Sequence, residues 1–394
     1  MDYLQLAHQI ELYTGGIDGS PVIIPSLEQL DDFSFAFKFS SVCLERNVEK
    51  MIELMREIYT NVDFFSNLNY LQSCIDQSAT DAASGILSNG SYYARTHAAS
   101  SLSFYDQLLN SNSGIDAMKF LKQLSSEANT EQTATYLQEL SKYLLRKDKM
   151  KLLITCEDNQ AERVKKIMSE QFYGGIENNA VANNEKMQAH KLFKPNYVST
   201  YLSIPSSVSF VGKAVLTAPF ATKESALLRV VSSLLHSCYL HQEVRERGGA
   251  YGSNAVQGMN GVFAFSSYRD PSPLRTISVC SGAAEWIQKA GSVTSKSIQE
   301  AKLQVFQQLD APVMPHTHAQ SQVVYGINDE LRQFRRSVIL DATKEEIVDT
   351  CVKFLGSHDN KSSSTIIGGS FEKDIPEGSR SGWTHIIEEE APEQ

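Results

Sequence analysis

One segment of the sequence combines residue types that could act on a polarised carbonyl group. It is YLHQEVRERGGAYG, residues 239–252, and it places Arg245 and Tyr251 on either side of Gly248 and Gly249. Glycines can adopt positive φ and end the preceding helix, so the chain can fold back toward the helix end. A guanidinium and a phenol facing one cavity would then be donors to a carbonyl oxygen that gains negative charge in a reaction.

The same segment also has a purely structural interpretation. Arg245 and Arg247 could complement the helix dipole, and Tyr251 could be an ordinary residue at the edge of the core. The residue types and their spacing favour this simpler interpretation, so the catalytic one is a hypothesis at this point.

Other motifs for catalysis or metal binding are absent from the sequence. It contains no H-x-x-E-H, H-E-x-x-H, Walker, G-x-G-x-x-G or G-x-S-x-G pattern. His316 and His318 follow a proline in a predicted loop without a third ligand nearby, so we interpret them as surface residues. His236 and His241 are spaced i, i+5 on a predicted helix and are expected to face different directions. We therefore predict no metal site in this chain.

Composition limits the classes of partner. The 394 residues include 36 Lys and Arg against 46 Asp and Glu, which gives a net charge of −10. An acidic chain is a poor nucleic-acid binder and is better suited to cationic partners. The longest apolar stretches are far shorter than the ~20 residues of a membrane span. The first residues show neither a secretory signal nor an Arg-rich transit peptide.

Hydrophobic periodicity predicts a first unit of strands and helices. Phenylalanines alternate with small or polar residues over 33–39, which indicates a strand with one apolar face. The next helix has Asn47 as its predicted N-cap. The other predicted elements of this unit are helices over 66–87, 114–145 and 160–172 and a strand over 150–156.

The same order of elements is then repeated. Thr343 and Glu346 form a T-x-x-E capping box at the start of one predicted helix. The other predicted elements of the second unit are strands over 208–216, 261–268 and 364–367 and helices over 223–240 and 296–309.

These two units define the predicted domain organisation. Residues 173–190 are rich in Gly and Asn and lack periodicity, so we interpret them as a linker between domains 1–172 and 191–394. The predicted fold class is α+β, with two homologous domains that are each an antiparallel sheet with helices packed on one face.

The segment at 245–252 resembles the C-terminal half of pitrilysin-type zinc metallopeptidases, the inverzincins. Among these it is most similar to the presequence-protease, or falcilysin-like, branch. Short matches elsewhere in the same order make the resemblance specific. They are YTGGI at 13–17, SVCLERN at 41–47, GI at 85–86, SYRDP at 267–271, EAKL at 300–303, LDAP at 309–312 and YG at 325–326.

The resemblance implies an architecture and a role. Such peptidases have two homologous halves that close around an unfolded peptide, and the N-terminal half binds Zn²⁺ through H-x-x-E-H. The C-terminal half contributes an Arg and a Tyr that reach the substrate carbonyl. By motif position these are Arg245 and Tyr251, supported by a turn that contains Gly248, Gly249 and Gly252. The implied substrates are unfolded peptides such as cleaved mitochondrial presequences, and the implied location is the mitochondrial matrix.

The sequence departs from the family in lacking the zinc motif. His8–Leu12 reads HQIEL, a degenerate form with Leu12 in place of the last His, and we interpret His8 as structural. The chain thus corresponds to a C-terminal half that binds no zinc, is inactive alone and acts with an N-terminal catalytic half, in cis or in trans. Its net charge agrees with basic peptide substrates. The alternative is a non-catalytic, peptidase-derived scaffold or interaction subunit.

Overall fold

The amino-terminal part of the chain is a hairpin of two strands followed by helices. The structure is a computed structural model that describes residues 3–144, 147–175, 193–317, 319–356 and 361–387. In the hairpin Ile17 pairs with Ser41 and Pro25 with Phe33. The elements are α1 (Tyr3–Tyr13), β1 (Ile17–Pro25), β2 (Phe33–Ser41), α2 (Val48–Asn61), α3 (Leu68–Ser100), α4 (Phe104–Ser113), α5 (Ile115–Glu127), α6 (Thr130–Leu144) and α7 (Ala161–Ile167).

The carboxy-terminal part is built on one mixed sheet of six strands. Its elements are β3 (Ser199–Ser203), β4 (Ser209–Leu216), α8 (Lys223–Leu235), a π-helical segment (His236–Glu246), β5 (Gly252–Gln257), β6 (Val262–Asp270), α9 (Pro273–Ser281), α10 (Ala283–Gln288), α11 (Ser295–Leu309), α12 (Gln320–Tyr325), α13 (Asp329–Asp341), α14 (Lys344–Leu355), β7 (Ser362–Gly368), α15 (Phe371–Asp374) and β8 (Trp383–Ile387). The strand order is β5-β6-β4-β7-β3-β8. β3 is parallel to both β7 and β8, and the other neighbours are antiparallel.

Helices cover both faces of this sheet. Phe210 and Ala214 of β4 pack against residues of α3, whereas Val215 points the other way and packs against residues of α8. The helix α3 lies so close that a Cβ on Gly212 would be 2.3 Å from the backbone of Ala94. Only glycine fits at this crossing, because the atoms it would meet belong to a backbone rather than to a movable side chain.

The predicted fold class is correct as α+β, but two of its details are wrong. The carboxy-terminal sheet is mixed rather than antiparallel, because the short strands β3 and β8 join it in parallel. Its helices lie on two faces, because α3 crosses over from the amino-terminal part. The described residues up to 175 contribute a two-stranded hairpin rather than a second full sheet.

The strand predicted over 150–156 is also wrong. These residues have no regular secondary structure, and Met150 and Ile154 pack against the cluster formed by α2 and α7. Short apolar runs are ambiguous, since they fit a strand or any segment that lies on a core. The linker and domain boundaries stay predictions, and linker residues 176–190 lie outside the described part of the chain.

Local signals at helix ends had mixed outcomes. The capping box of Thr343 and Glu346 is confirmed. Asn47 does not cap α2 through its side chain, and its amide instead donates to the carbonyl oxygen of Tyr13 at 3.2 Å. The helix predicted over 114–145 is two helices, because Ala128 adopts φ +48° between them. No helix within the described ranges is both long and apolar enough to cross a membrane.

Candidate functional site

The helix that carries Arg245 changes its winding before it ends. Residues of α8 are α-helical as far as Leu235, and the next eleven, His236–Glu246, are π-helical. The helix closes with two backbone hydrogen bonds, from Gly249 N to the Arg245 oxygen at 3.0 Å and from Ala250 N to the Val244 oxygen at 3.1 Å. π-Helical turns are rare and occur frequently at functional sites.

Two of the three predicted turn glycines are required by the geometry. Gly249 has φ +80°, a conformation that glycine adopts without penalty. A Cβ on Gly248 would lie 2.5 Å from the carbonyl oxygen of Val244. Gly252 is different, because it begins β5 with open space around its Cα, so nothing in the described residues prevents a side chain there.

Tyr251 leaves this turn and enters the sheet with its side chain in solvent. Its backbone N donates to the carbonyl oxygen of Tyr268 at 3.1 Å, which fixes its place beside β6. The two rings meet edge to face with centroids 6.1 Å apart. The side chain of Tyr251 is 72% exposed, and its hydroxyl makes no hydrogen bond within the described ranges. The phenol is thus anchored at its base and free at its tip.

Three arginines lie around the helix end, and they differ in their partners. Arg247 and Arg275 both bind the carboxylate of Glu243, and Arg275 also donates to the Glu243 carbonyl oxygen. Arg245 is exposed, and its guanidinium has no hydrogen bond or ion pair among the residues that the structure describes. One acidic side chain therefore holds two of the cations in structural roles and leaves Arg245 available to a ligand.

The structure places Arg245 and Tyr251 at the two ends of one tight turn. Within the described residues no hydrogen bond or ring contact joins the two side chains. Their donors are thus not used on each other. Such a pair can donate to a common acceptor, such as a carbonyl oxygen, that enters from solvent.

A buried aspartate that the sequence interpretation missed supports the turn. Asp270 accepts hydrogen bonds of 2.6 Å from the hydroxyls of Ser267 and Thr276, which ties the end of β6 to α9. The ring of the next residue, Pro271, lies 3.3 Å from where a Cβ of Gly249 would stand. The sequence signal was the turn DPSP at 270–273, whose contact with the glycines could not be inferred from spacing.

The prediction that His236 and His241 face different directions is not supported. In a π-helix, residues i and i+5 are hydrogen-bonded neighbours, so both imidazoles lie on one side. Burial lowers the pKa of His236, and the neighbouring charge of His241 acts in the same direction. The α-helical geometry assumed for this segment was the source of the error.

Metal binding by this chain was tested on the donor residues. In the described ranges no three or more His, Cys, Asp or Glu side chains come together in a way that could hold a metal ion. His8 lies exposed in α1, and His318 is outside the described residues. The described residues therefore do not fit a zinc ion.

Comparisons with known proteins agree with this geometry. Residues 1–124 match a family described as associated with subfamily C of the M16 peptidases, and residues 199–368 match "PreP C-terminal domain". The chain belongs to subfamily C of the M16 peptidases. It is 34% identical over 376 residues to the mitochondrial presequence protease of Danio rerio and 30% identical over 382 residues to that of Mus musculus. Each alignment covers 90% of this chain but only 36% and 37% of the relative, so the chain spans about a third of their length and corresponds to their C-terminal portion.

Solved structures show that the M16 fold is shared. Pitrilysin superposes with a TM-score of 0.59 at 13% identity, over 97% of this chain and 39% of pitrilysin. A peptidase M16 inactive domain from Pseudomonas fluorescens superposes with a TM-score of 0.54 at 13% identity, over 94% of this chain and 84% of that chain. The resemblance inferred from short motifs is thus confirmed at the level of family and fold.

Proposed function

We propose that this chain is the C-terminal part of a zinc metalloendopeptidase that degrades unfolded peptides. Its role is to bind the peptide and to stabilise the transition state, while an N-terminal catalytic half supplies the zinc ion. The curated relatives are named mitochondrial presequence proteases, which supports cleaved presequences as substrates and mitochondria, specifically the matrix, as the location. The net charge of −10 supports basic peptides.

The proposal is carried by the contrast between Arg245 and its neighbours. Glu243 pairs with Arg247 and Arg275, whereas the exposed Arg245 has no partner among the described residues. A scaffold surface has no need of an unpaired guanidinium beside an exposed phenol. When a nucleophile adds to a peptide carbonyl, its oxygen gains negative charge, and donors held in place by the protein stabilise that charge.

The roles of the two side chains follow from their chemistry. Tyr251 is a neutral donor on a fixed backbone, and Arg245 is a permanent cation with a planar set of donors. Gly248 and Gly249 keep the turn that separates them. Arg247 has a structural role only, because its charge is already paired with Glu243.

The test is a kinetic comparison in the complete enzyme, with the zinc-bearing half present. Tyr251→Phe removes one hydroxyl and should lower kcat by about 10²–10³ with little change in KM, since loss of one such donor typically has this effect. Tyr268→Phe is the matched control and should keep kcat. A folded Tyr251→Phe variant with wild-type kcat would contradict the proposal.

The arginines provide a second matched pair. Arg245→Lys keeps the charge but loses the planar fork, and it should also lose most of kcat. Arg247→Ala should keep it and should reduce stability by no more than about 1 kcal/mol, as for other exposed ion pairs. Equal kinetic effects at both positions would favour a general charge effect over a specific role for Arg245.

The isolated chain provides a separate prediction. Because its described residues do not fit a zinc ion, it should show no chelator-sensitive hydrolysis of a fluorogenic peptide. Metal analysis of the same sample gives an independent readout. Stoichiometric zinc together with turnover would contradict the assignment of this chain as the non-metal half. Normal turnover of the complete enzyme after loss of both Arg245 and Tyr251 would instead support the scaffold alternative.

A further inference from the structure

Two arginines on neighbouring helices are half-buried without an acidic partner. Arg229 of α8 donates through Nη2 to the side-chain oxygen of Gln308. Arg335 of α13 donates through Nη1 to the carbonyl oxygen of Phe220 and to the Ser225 hydroxyl, the latter at 3.3 Å. All three acceptors are neutral, and neither guanidinium contacts a carboxylate within the described residues. The two positive charges are therefore not balanced locally by the chain.

The nearest acidic side chains on the flanking elements have other partners. Asp310, at the end of α11, binds Arg336. Glu224, in the first turn of α8, binds Lys353 at 3.3 Å. Neither carboxylate makes an ion pair with the two half-buried arginines. This arrangement differs from that at Glu243, where one carboxylate serves two cations.

The electrostatics of the pair are unfavourable in the protein alone. Burial lowers the pKa of Arg335 to about 10, and the charge of Arg229 acts in the same direction. Burial also lowers the pKa of Arg229. Two like charges withdrawn from water destabilise a fold unless a counter-charge reaches them.

The free donors of the two side chains are held in a defined orientation. The Cζ atom of Arg335 lies 3.8 Å from the centroid of the Phe220 ring, a contact that fixes the plane of its guanidinium. Nε and Nη2 of Arg335, and Nε and Nη1 of Arg229, have no acceptor in the part of the chain that the structure describes. Each guanidinium thus keeps donors that match two oxygens of an oxyanion.

We propose that Arg229 and Arg335 form a binding site for a phosphate-class oxyanion, either inorganic phosphate or pyrophosphate or the phosphate groups of a nucleotide. Two guanidiniums require an anion with more than two acceptor oxygens and up to two negative charges, which favours phosphate over a single carboxylate. The site lies on α8 and α13, and it does not depend on the proposed peptidase function or on Arg245.

The test is calorimetric titration of the 394-residue chain at constant ionic strength. Pyrophosphate and inorganic phosphate should bind at one site, and acetate should bind at least about tenfold more weakly, because it can engage only one fork. A nucleoside triphosphate in a parallel titration separates the sources. Affinity equal to that of pyrophosphate indicates recognition of the phosphates alone, and tighter binding indicates a nucleotide. No binding of any phosphate probe to the wild-type chain would overturn the proposal.

Matched variants separate a built site from a general charge effect. Arg229→Gln and Arg335→Gln should each weaken pyrophosphate binding by about tenfold or more, as expected when charge-assisted hydrogen bonds are lost. Arg332→Gln is the control on the same helix, because Arg332 is already paired with Asp329 at 2.9 Å, and it should keep the affinity.

Stability provides a second readout that does not need the ligand. In chloride buffer Arg229→Gln should melt at the same temperature as the wild type or higher, because one of two repelling charges is gone. Added pyrophosphate should then raise the Tm of the wild type and of Arg332→Gln but not of Arg229→Gln. Equal Tm shifts in all three proteins would overturn the proposal, even if Arg335→Gln failed to fold.

Discussion

Strands β2 and β6 share the sequence pattern F-x-F but differ in burial. Phe263 and Phe265 of β6 are 0% and 1% exposed, whereas Phe35 and Phe37 of β2 are 53% and 42% exposed. β6 lies between β5 and β4 in a sheet with helices on both faces, while β2 pairs only with β1 in the described residues. Alternation therefore predicts the strand and its apolar face, and the neighbouring elements decide whether that face is buried.

The largest expected effect is truncation of a phenylalanine in the filled region. Phe265→Ala should lower the free energy of unfolding by about 3–5 kcal/mol, because it leaves a cavity in the core between the sheet and α8. Phe37→Ala is the matched change in the hairpin and should lower it by less than about 1 kcal/mol. Urea denaturation of both variants gives the comparison. Similar losses at the two positions would show that the hairpin face is covered in solution.

The second prediction tests how tightly α3 and the sheet are packed. Gly212→Ala places a methyl group 2.3 Å from the backbone of Ala94 and should lower the free energy of unfolding by about 1–3 kcal/mol or more. Gly252→Ala is the control, because no atom lies within 4 Å of the added group, and it should change stability by no more than about 0.5 kcal/mol. An unchanged midpoint for Gly212→Ala would mean that α3 does not lie this close to β4.

The third prediction concerns the carboxyl group that joins the two regions. Asp106 of α4 is buried and accepts hydrogen bonds of 2.6 Å from Ser103 and from Asn260, which lies between β5 and β6. Burial raises its pKa from 3.8 to about 7, and the nearby charge of Asp31 adds to this. The fold therefore favours the protonated form, and its contribution is complete below about pH 4 and lost as the pH rises to about 7.

Asp106→Asn tests this sign, because the amide cannot ionise. The stability of the variant relative to the wild type should increase between about pH 4 and pH 7, as measured by Tm or urea midpoint at each pH. The change should be the smallest of the three, since Ser103 and Asn260 can still bond the amide. A difference between variant and wild type that stays constant with pH would rule out titration of Asp106 in this range.

Local signals account for the parts of the fold that the sequence predicted. The capping box of Thr343 depends on residues three apart, and β4, β6 and β7 have strong apolar patterns of their own. β3 and β8 were not predicted, because five-residue strands are too short for periodicity to detect and depend on their neighbours in the sheet. The crossing of α3 over β4 depends on contacts distant in sequence, which no local pattern contains.

The candidate site shows the same limit. Arg245, Tyr251 and the glycine turn could be identified from their types and spacing, and the pairing of Arg247 with Glu243 follows from i, i+4 spacing. The contact of Arg275 with Glu243 and that of Pro271 with the Gly249 turn arise only when α9 packs beside the helix end. These distant contacts are what distinguish the unpaired arginine from the paired ones.

The position of α3 also constrains the order in which the chain can fold. Its buried face is complete at residue 100, but the strands it covers, β4, β6 and β7, begin at residue 209 and end at residue 368. A ribosome therefore releases this helix long before its partners exist, and the closing of so long a loop slows folding. During synthesis the apolar face of α3 remains a surface on which a nascent chain aggregates or a chaperone binds.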